Sequence, residues 1–555
     1  MQNHAAHFIF GFVASSLCCP VTNDTMRLDE RQPLDDEAQL QALGHKGELK
    51  RNFSLISMLG LAFAILNSWT ALSSSLGLAL PSGGSTSVIW GLLTAGICNL
   101  ALASSLAEFL SAYPTAGGQY HWVAVITPKK WVPLASFITG WINVSGWIAL
   151  TTSGGLLASQ LISGLIALHH PEFELKPWQV WLIYSAWTII AFIINAFLNH
   201  LLPYINRTAF IWSIGGFGIV CITVLSCASP DYASAEFVFT EFINETNWPD
   251  GIAWLLGLLQ GGFGLTGYDA VAHMIEEIPN AAVEGPKIMI YCVCIGTVTG
   301  FIFLTVLLFV SGGDAAAIIS AAPGPLLQIL YIATKSKAGA TCLLMFPLVC
   351  ILFAEIAIMT TSSRMTYAFA RDGGLPFSKF FSTVHPRLGQ PLNSLILAAT
   401  LAILFGLILI GSSSAFNALI SASVVALGVS YAIPIAINLC RGRKMLGPRA
   451  FVLPTPIGWA ANILGVSYTT VTTVLFLFPP QLPVTTSNMN YCVVAFTIIL
   501  FISTFQWFVD GRKNFTGPRA DLNLDILEAL TGQEQPEVDA PPSNAAVDEL
   551  ADTLK

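Results

Sequence analysis

The chain has 555 residues, of which 54% are hydrophobic and 10% are charged, and its mean hydropathy is +0.68. This composition excludes an ordinary soluble globular domain and indicates an integral membrane protein. The formal charge of −8 offers nothing that would attract nucleic acid, so we expect no nucleic-acid partner and a chain embedded in the lipid bilayer.

Read with a window of about 19 residues, the sequence contains twelve apolar stretches between two polar tails. Each is long enough to cross a hydrocarbon core of about 30 Å as a helix. The predicted organisation is an N-terminal tail at 1–52, a membrane domain of twelve helices at 53–510 and an acidic C-terminal tail at 511–555, with both tails largely disordered. The predicted spans lie near 55–80, 86–112, 133–167, 178–202, 208–228, 251–278, 288–311, 341–370, 391–411, 415–439, 457–478 and 491–509.

The basic residues predict the orientation of these spans. With a cytosolic N-terminus, only Lys176, Lys335 and Lys337 of the 24 Lys and Arg residues fall outside, which leaves 21 inside. Because cytoplasmic loops of membrane proteins carry an excess of Lys and Arg, we expect an even number of spans with both termini in the cytosol. We also expect the plasma membrane as the location.

The loop at 229–250, which this orientation makes extracellular, is acidic and contains Asn244-Glu245-Thr246. The triplet is a glycosylation sequon on the side where glycans are added. It predicts a glycoprotein with Asn244 as the acceptor.

The first and sixth spans are interrupted in a similar way. Span one carries Asn67, Ser68, Thr70 and three further serines, and span six carries four glycines within 261–267. Polar backbone in a membrane is tolerated only where protein or a water-filled cavity surrounds it. Equivalent breaks five spans apart predict an all-α membrane fold with two inverted five-helix repeats around a central site.

Asp269 is the carboxylate beside the span-six break. An acid at mid-membrane costs roughly 2.5–3.5 kcal/mol on translocon scales, which suggests a function. With the aromatic faces of Phe263, Tyr268 and Trp69 it could hold a cationic headgroup. The alternative is that it accepts hydrogen bonds and ties the broken helix together, and the two roles are compatible.

Other polar groups at membrane depth are candidates for ion coupling. Glu108 and Glu355 could each accept a proton, because a desolvated carboxyl resists ionisation, or each could simply bond a neighbouring helix. The hydroxyls of span eight could coordinate sodium or mediate helix packing. These hydroxyls belong to Thr360, Thr361, Ser362 and Ser363.

Three motifs follow one another along the chain: AYPTAGGQYHW at 112–122, GYDAVAHMIEEIPNAAVEGPKIM at 267–289 and TSSRMTYAFARDGGLPF at 361–377. In this order they resemble the signatures of the amino acid–polyamine–organocation superfamily, and most closely its fungal amino acid/choline transporter family. The resemblance covers about residues 50–512.

The resemblance implies twelve helices with an inverted five-plus-five repeat, proton-driven uptake in many members, and a substrate site between broken helices one and six. Two departures are visible: span one lacks the usual glycine pair, and span five lacks a membrane-embedded lysine. Carried onto this chain, the breaks fall on Asn67, Ser68, Trp69 and Thr70 in span one and on Gly264, Leu265, Thr266, Gly267, Tyr268 and Asp269 in span six.

The sequence therefore predicts a secondary transporter that imports small nitrogenous solutes by alternating access, with protons favoured over sodium as the coupling ion. Three substrate classes stay open: choline or another quaternary amine, a neutral amino acid or γ-aminobutyrate, and a nitrogenous secondary metabolite or its precursor. A solute sensor signalling through the tails is the rival from another class. We expect no enzyme, cofactor or metal, since the chain contains no H-E-x-x-H, no G-x-S-x-G and no Cys/His cluster at ligand spacing.

Overall fold

The structure is a computed structural model that describes residues 55–411, 414–485 and 488–518. Across these ranges the chain is helical, and the one extended contact there is an isolated antiparallel bridge between Ser82 and Asn244. The predicted N-terminal tail and nearly all of the predicted C-terminal tail lie outside the described residues.

The helices are numbered in chain order. The first half contains α1 (Leu55–Leu66), α2 (Ser68–Ser74), α3 (Leu76–Ala79), α4 (Gly84–Ala112), α5 (Gln119–Ile126), α6 (Val132–His169), α7 (Pro177–Phe197), α8 (Leu202–Ala228), α9 (Ala235–Thr240), α10 (Asp250–Gly264) and α11 (Ala270–His273). The second half contains α12 (Ala281–Phe309), α13 (Ala315–Ile319), α14 (Pro325–Thr334), α15 (Lys337–Arg371), α16 (Ser378–Phe381), α17 (Leu392–Phe405), α18 (Ile408–Gly411), α19 (Ala415–Cys440), α20 (Thr455–Leu475), α21 (Cys492–Gln506) and α22 (Arg512–Asn514).

Nine helical segments in the described ranges are long and apolar enough to cross a membrane. The predicted spans one and six are not among them, because each is divided into shorter helices. The predicted span eleven corresponds to α20, a helix of 21 residues that is also outside the nine. The nine segments are Gly84–Ala112, Lys129–His169, Pro177–Phe197, Asn199–Ala228, Ala281–Phe309, Lys337–Arg371, Leu392–Gly411, Phe416–Cys440 and Cys492–Asn514.

The break between α1 and α2 is a single residue. Asn67 adopts a left-handed conformation with φ 35° and ψ 44°, which asparagine tolerates better than most residues. The prediction placed Ser68, Trp69 and Thr70 in the break as well, and here it was too wide. These three residues are helical, because the amides of Thr70 and Ala71 both bond to the Asn67 carbonyl at 3.0 Å and start α2 at once.

The break between α10 and α11 is longer and spans 265–269. Gly267 has φ +102°, a conformation that side-chain-bearing residues rarely adopt. The amide of Ala270 bonds to the Gly267 carbonyl at 3.1 Å and so does not continue the helical pattern to Thr266. The turn therefore releases backbone carbonyls inside the bundle.

The centre of the bundle is built by α6, which packs against α15 on one side and α19 on the other. Glycines make these approaches close. A Cβ on Gly140 would lie 2.2 Å from the ring of Phe369, and a Cβ on Gly154 would lie 1.9 Å from Oε2 of Glu355. Small residues thus bring α15 and its polar side chains against α6.

The described part of the chain continues beyond the predicted end of the membrane domain at 510. Phe515 is buried, and its ring centroid lies 5.5 Å from that of Phe137 and 6.0 Å from that of Phe369. The first residues of the predicted tail therefore pack against α6 and α15.

Candidate functional site

Asp269 ends the break between α10 and α11, and its side chain is fully buried. Its Oδ1 accepts a hydrogen bond of 2.5 Å from the hydroxyl of Tyr431 in α19. Its Oδ2 is approached by donors from α5, α6 and α11: Gln119 Nε2 at 2.8 Å, Trp147 Nε1 at 3.2 Å, His273 Nε2 at 3.1 Å and Asn143 Nδ2 at 3.5 Å. The carboxylate thus joins three helices, α5, α6 and α19, to the broken one.

His273 is the basic side chain that contacts Asp269. Both side chains have no exposed surface. The other ring nitrogen of His273, Nδ1, lies 3.0 Å from the carbonyl oxygen of Ala116, in the loop that follows α4. The imidazole therefore bridges the span-six break and the loop between α4 and α5.

Two tyrosines form the aromatic wall next to this carboxylate. The rings of Tyr268 and Tyr431 have centroids 4.9 Å apart. The Tyr268 hydroxyl is buried and has no hydrogen-bond partner among the described residues. Phe263 is also buried. The break therefore presents aromatic rings together with one hydroxyl group, that of Tyr268, which is available for hydrogen bonding.

Trp69 faces a different set of side chains. Its indole N–H donates to the hydroxyl of Ser213 in α8 at 2.8 Å. Its ring meets Phe303 at 4.7 Å and Phe217 at 6.2 Å between centroids, both edge to face. Trp69 therefore anchors α2 to α8 and α12, and its ring is already occupied by protein.

The two breaks lie against each other. A Cβ on Gly267 would lie 3.1 Å from the side chain of Ile65, and one on Gly264 would lie 2.5 Å from that of Leu72. Gln260 in α10 donates to the Leu72 carbonyl at 2.7 Å. Contacts of this closeness position the polar atoms of α1 and α2 beside the α10–α11 turn.

The polar residues at the first break are only partly bonded. The Thr70 hydroxyl donates to the Asn67 carbonyl at 2.8 Å, and the Thr266 hydroxyl across the site donates to the Gly262 carbonyl at 2.7 Å. In contrast, the side-chain nitrogen Nδ2 of Asn67 and the hydroxyl of Ser68 are buried without a hydrogen-bond partner in the part of the chain that is described. Buried polar atoms are normally bonded, so these two are candidates for contact with a ligand or water.

Glu108, near the end of α4, is held by cations. Its Oε2 lies 2.7 Å from Arg443 Nη2, and its Oε1 lies 3.0 Å from Arg449 Nη2. The backbone amide of Leu453 also donates to Oε1 at 3.1 Å. Such partners favour the ionised carboxylate, so Glu108 fastens the α19–α20 loop to α4.

Glu355 in α15 has the opposite environment. It has no exposed surface, and neither carboxyl oxygen has a hydrogen-bond partner within the described ranges. Burying an unpaired carboxylate is far more costly than burying a neutral carboxyl group. This side chain is therefore a neutral acid against Gly154 of α6.

The four hydroxyls of α15 mostly bond within the protein. Thr360 lies 2.5 Å from Asn195 Oδ1, Thr361 donates to the Ala357 carbonyl at 3.1 Å, and Ser363 donates to the Thr360 carbonyl at 2.7 Å. Ser362 is buried, and its hydroxyl has no partner in the described structure. Bonds of this kind are typical of helix packing.

Two ion pairs lie at the end of the site beyond α11. Glu277 pairs with Arg364 at 3.4 Å, and Glu276 pairs with Arg371 at 3.5 Å, so the segment after α11 is fastened to α15. On α5, burial raises the pKa of Tyr120 well above its ordinary value and the nearby carboxylate of Asp372 raises it further. Tyr120 is therefore a neutral donor, and its hydroxyl bonds Asp372 at 2.7 Å.

At the other end of α10 there is a cavity of about 230 Å³. It lies between α3, α10, α13, α19, the segment that follows α9 and the segment that follows α20. Its walls include Leu78, Leu256, Asn417 and Phe476.

The sequon asparagine is built into the loop before α10. Asn244 Nδ2 donates to the Trp248 carbonyl at 2.7 Å and to Asp250 Oδ1 at 2.9 Å. Its Oδ1 accepts from the hydroxyl of Thr246 at 2.7 Å. Glycosylation of Asn244 stays a prediction, and a glycan attached to Nδ2 would displace at least one of the two bonds that this nitrogen donates.

Several site residues were not predicted from the sequence. Gln119 and His273 lie inside the quoted signature motifs, so their motif membership was a usable signal. Asn143, Trp147 and Tyr431 lie in apolar spans that carry no local signal. What they share is that each donates to, or lies close to, one carboxylate.

Comparison with known proteins identifies the family. A profile of the amino acid permease family matches residues 54–502. A protein named as an amino acid/polyamine transporter of Macrophomina phaseolina is 37% identical over 79% of this chain and 97% of its own length. The choline transporter of Saccharomyces cerevisiae is 34% identical over 88% of this chain and 86% of its own, and an amino-acid permease of Arabidopsis thaliana is 30% identical over 88% and 98%. The chain is therefore an integral membrane protein that belongs to the amino acid permease family of the amino acid–polyamine–organocation superfamily, as its three motifs predicted.

Proposed function

We propose that this permease is a secondary active transporter that imports small nitrogenous organic solutes by alternating access. The observation that carries the proposal is the pair of contacting helix breaks at Asn67 and at 265–269. Buried polar atoms of Asn67, Ser68 and Tyr268 have no hydrogen-bond partner there among the described residues. Half-helix ends and unwound backbone of this kind form substrate sites in transporters. The proposal includes the predicted twelve spans and the inverted five-plus-five repeat.

Within the three substrate classes, we favour a zwitterionic amino acid such as γ-aminobutyrate or a neutral α-amino acid. All of the hydrogen-bond donors around Asp269 belong to the protein, and His273 opposes its charge. The site therefore has no unpaired acid for a cation. The substrate's ammonium group would meet the carbonyls released at Thr266, and its carboxylate the positive N-terminal end of α2.

Choline is the second candidate, because one relative is the choline transporter of Saccharomyces cerevisiae and because Tyr268 and Tyr431 offer aromatic faces to a quaternary amine. A quaternary amine donates no N–H bonds. Its binding would depend on these rings more than on the carbonyls of the break. A secondary metabolite or its precursor is the third class.

Alternating access is supported by the two ends of span six. The cavity of about 230 Å³ borders the middle of α10 and the segment that precedes it, whereas ion pairs of Glu276 and Glu277 fasten the chain beyond α11. We propose that the first end faces outside and the second faces the cytosol, as the charge distribution predicts. The plasma membrane with cytosolic termini is part of the same proposal.

We propose proton coupling rather than sodium coupling. Glu108 is held as an ion by two arginines and leaves the list of proton carriers. Asp269 and Glu355 stay on it, and the Glu355 carboxyl oxygens have no hydrogen-bond partner among the described residues. Three of the four hydroxyls of Thr360–Ser363 bond within the protein.

The test is uptake by purified protein in lipid vesicles. Labelled choline, γ-aminobutyrate, neutral amino acids and polyamines are offered at two external pH values, with and without sodium. We expect saturable uptake of at least one zwitterionic solute that rises as external pH falls. A protein that binds a solute but never moves it across the membrane would instead be a sensor, and the proposed function would be wrong.

A further inference from the structure

His273 carries a proton on Nδ1. That nitrogen lies 3.0 Å from the carbonyl oxygen of Ala116, and a backbone carbonyl can only accept a hydrogen bond. The contact therefore fixes Nδ1 as the donor and leaves Nε2 as the nitrogen that gains or loses the second proton.

A further proton lies between His273 and Asp269. Nε2 is 3.1 Å from Asp269 Oδ2, and both side chains are fully buried. In a neutral ring with its hydrogen on Nδ1, Nε2 would point a lone pair at a carboxylate oxygen, which is repulsive. The contact is attractive only if one proton is shared by the pair, as imidazolium and carboxylate or as imidazole and carboxylic acid.

The neighbours of Asp269 decide where this proton resides. Gln119, Trp147 and Tyr431 all donate to the carboxylate, and donors of this kind favour its ionised form. The proton is therefore on His273. The edge of the His273 ring also faces Trp147, with centroids 5.8 Å apart.

The other titratable groups near the pair are of two kinds. Tyr431 of α19, Tyr268 of the break and Cys292 of α12 face Asp269 as neutral groups. The charged ones lie one residue further away: the Ala116 amide donates to Glu276 Oε1 at 3.2 Å, and Glu276 pairs with Arg371. Ala116 thus contacts His273 through its carbonyl and the ion pair through its amide.

We propose that the Asp269–His273 pair is the coupling-proton site of this transporter, with His273 as the residue that binds and releases the proton. The inference rests on the proposed function and names a proton site there other than Glu355. When His273 holds its proton, Asp269 is neutralised and stays bonded inside the bundle. Loss of the proton toward the cytosol breaks the Asp269–His273 contact, and this change reaches the Glu276–Arg371 ion pair through Ala116.

The test separates substrate movement from proton coupling. His273→Asn keeps an N–H donor near Ala116, and His273→Gln keeps a polar amide near Asp269. Neither amide side chain can bind a proton as the imidazole does. His169→Gln makes the same change at an exposed histidine whose ring contacts Thr341, and it serves as the matched control. Glu355→Gln removes the rival carboxyl.

Each protein is placed in vesicles with the membrane potential clamped at zero. Substrate exchange at equal pH measures binding and conformational cycling. Accumulation driven by a gradient of one pH unit measures coupling, and one proton per substrate sets a limit of roughly tenfold. We expect both His273 variants to lose a larger fraction of accumulation than of exchange, while His169→Gln and Glu355→Gln accumulate like the wild type.

Two results would overturn the inference. One is accumulation by either His273 variant at the wild-type level. The other is loss of accumulation in Glu355→Gln with exchange retained. That result would identify Glu355 as the residue that binds the coupling proton, and it does not depend on whether the His273 variants fold. A wild-type protein that moves no solute at all would instead remove the proposed function, so the two failures are distinguishable.

Discussion

Replacing Asp269 by asparagine is the change whose consequences the structure defines most completely. The substitution keeps the size of the side chain and removes one acceptor atom. In the wild type, Oδ2 accepts hydrogen bonds from Gln119, Trp147 and His273 at 2.8, 3.2 and 3.1 Å. An amide nitrogen in its place would point hydrogens at these donors. If the amide is turned around, its oxygen keeps these three donors and its nitrogen faces the Tyr431 hydroxyl, which can accept a hydrogen bond. The lasting loss is then the negative charge opposite His273.

The magnitude follows from burial. Removing one partner of a buried charged pair typically costs about 3–5 kcal/mol, because it leaves the other charge uncompensated. We therefore expect Asp269→Asn to abolish transport and to lower the free energy of unfolding by about 3–5 kcal/mol.

The assay compares the variant with Asp231→Asn, which makes the same chemical change at an exposed acid paired with Lys335 at 3.4 Å. Exposed ion pairs are worth about 0–1 kcal/mol, so the control should transport normally and unfold near the wild-type temperature. Thermal unfolding of purified protein and uptake per correctly inserted molecule are both measured. Normal transport with unchanged apparent affinity in Asp269→Asn would refute the role assigned to this carboxylate.

Three further predictions use other parts of the fold. Glu108→Gln should lower the thermal midpoint, because its two arginines lose their shared carboxylate, while proton-driven accumulation per folded molecule stays unchanged; loss of accumulation alone would return Glu108 to the coupling site. Gly154→Ala should impair folding or transport, since its Cβ would lie 1.9 Å from Glu355, whereas Gly215→Ala, with nothing within 4 Å, should be neutral; equal behaviour of the two would contradict the packing described for α6 and α15. Asn244 should be reachable from outside by a membrane-impermeant probe in intact cells, and access only from the cytosol would reverse the orientation.

The breaks in the two central helices were predictable because they leave a signal in the local sequence. Asparagine at 67 and glycine at 267 are residue types that adopt the left-handed backbone conformations found there. The width of the first break was not predictable. Ser68 and Thr70 are compatible with either a loop or the first turn of a helix, and the bonds to the Asn67 carbonyl decide for the helix.

The partners of the predicted acids could not be read from the chain. Tyr431 is 162 residues from Asp269, and Arg443 is 335 residues from Glu108. Which face of a helix turns toward which neighbour depends on packing of the whole bundle. Trp69 is the clearest case: its sequence position suggested the substrate site, and its ring packs on Phe303 and donates to Ser213 instead.

The central claim is that this permease couples solute movement to protons through a site at the span-six break. The most direct measurement uses purified protein in vesicles, a labelled zwitterionic substrate and a membrane potential clamped at zero, with either a pH gradient or a sodium gradient imposed. The account predicts accumulation with the pH gradient, acidic outside, and none with sodium alone. Accumulation driven by sodium without any response to pH would contradict it, and would make Thr360, Thr361, Ser362 and Ser363 ion ligands.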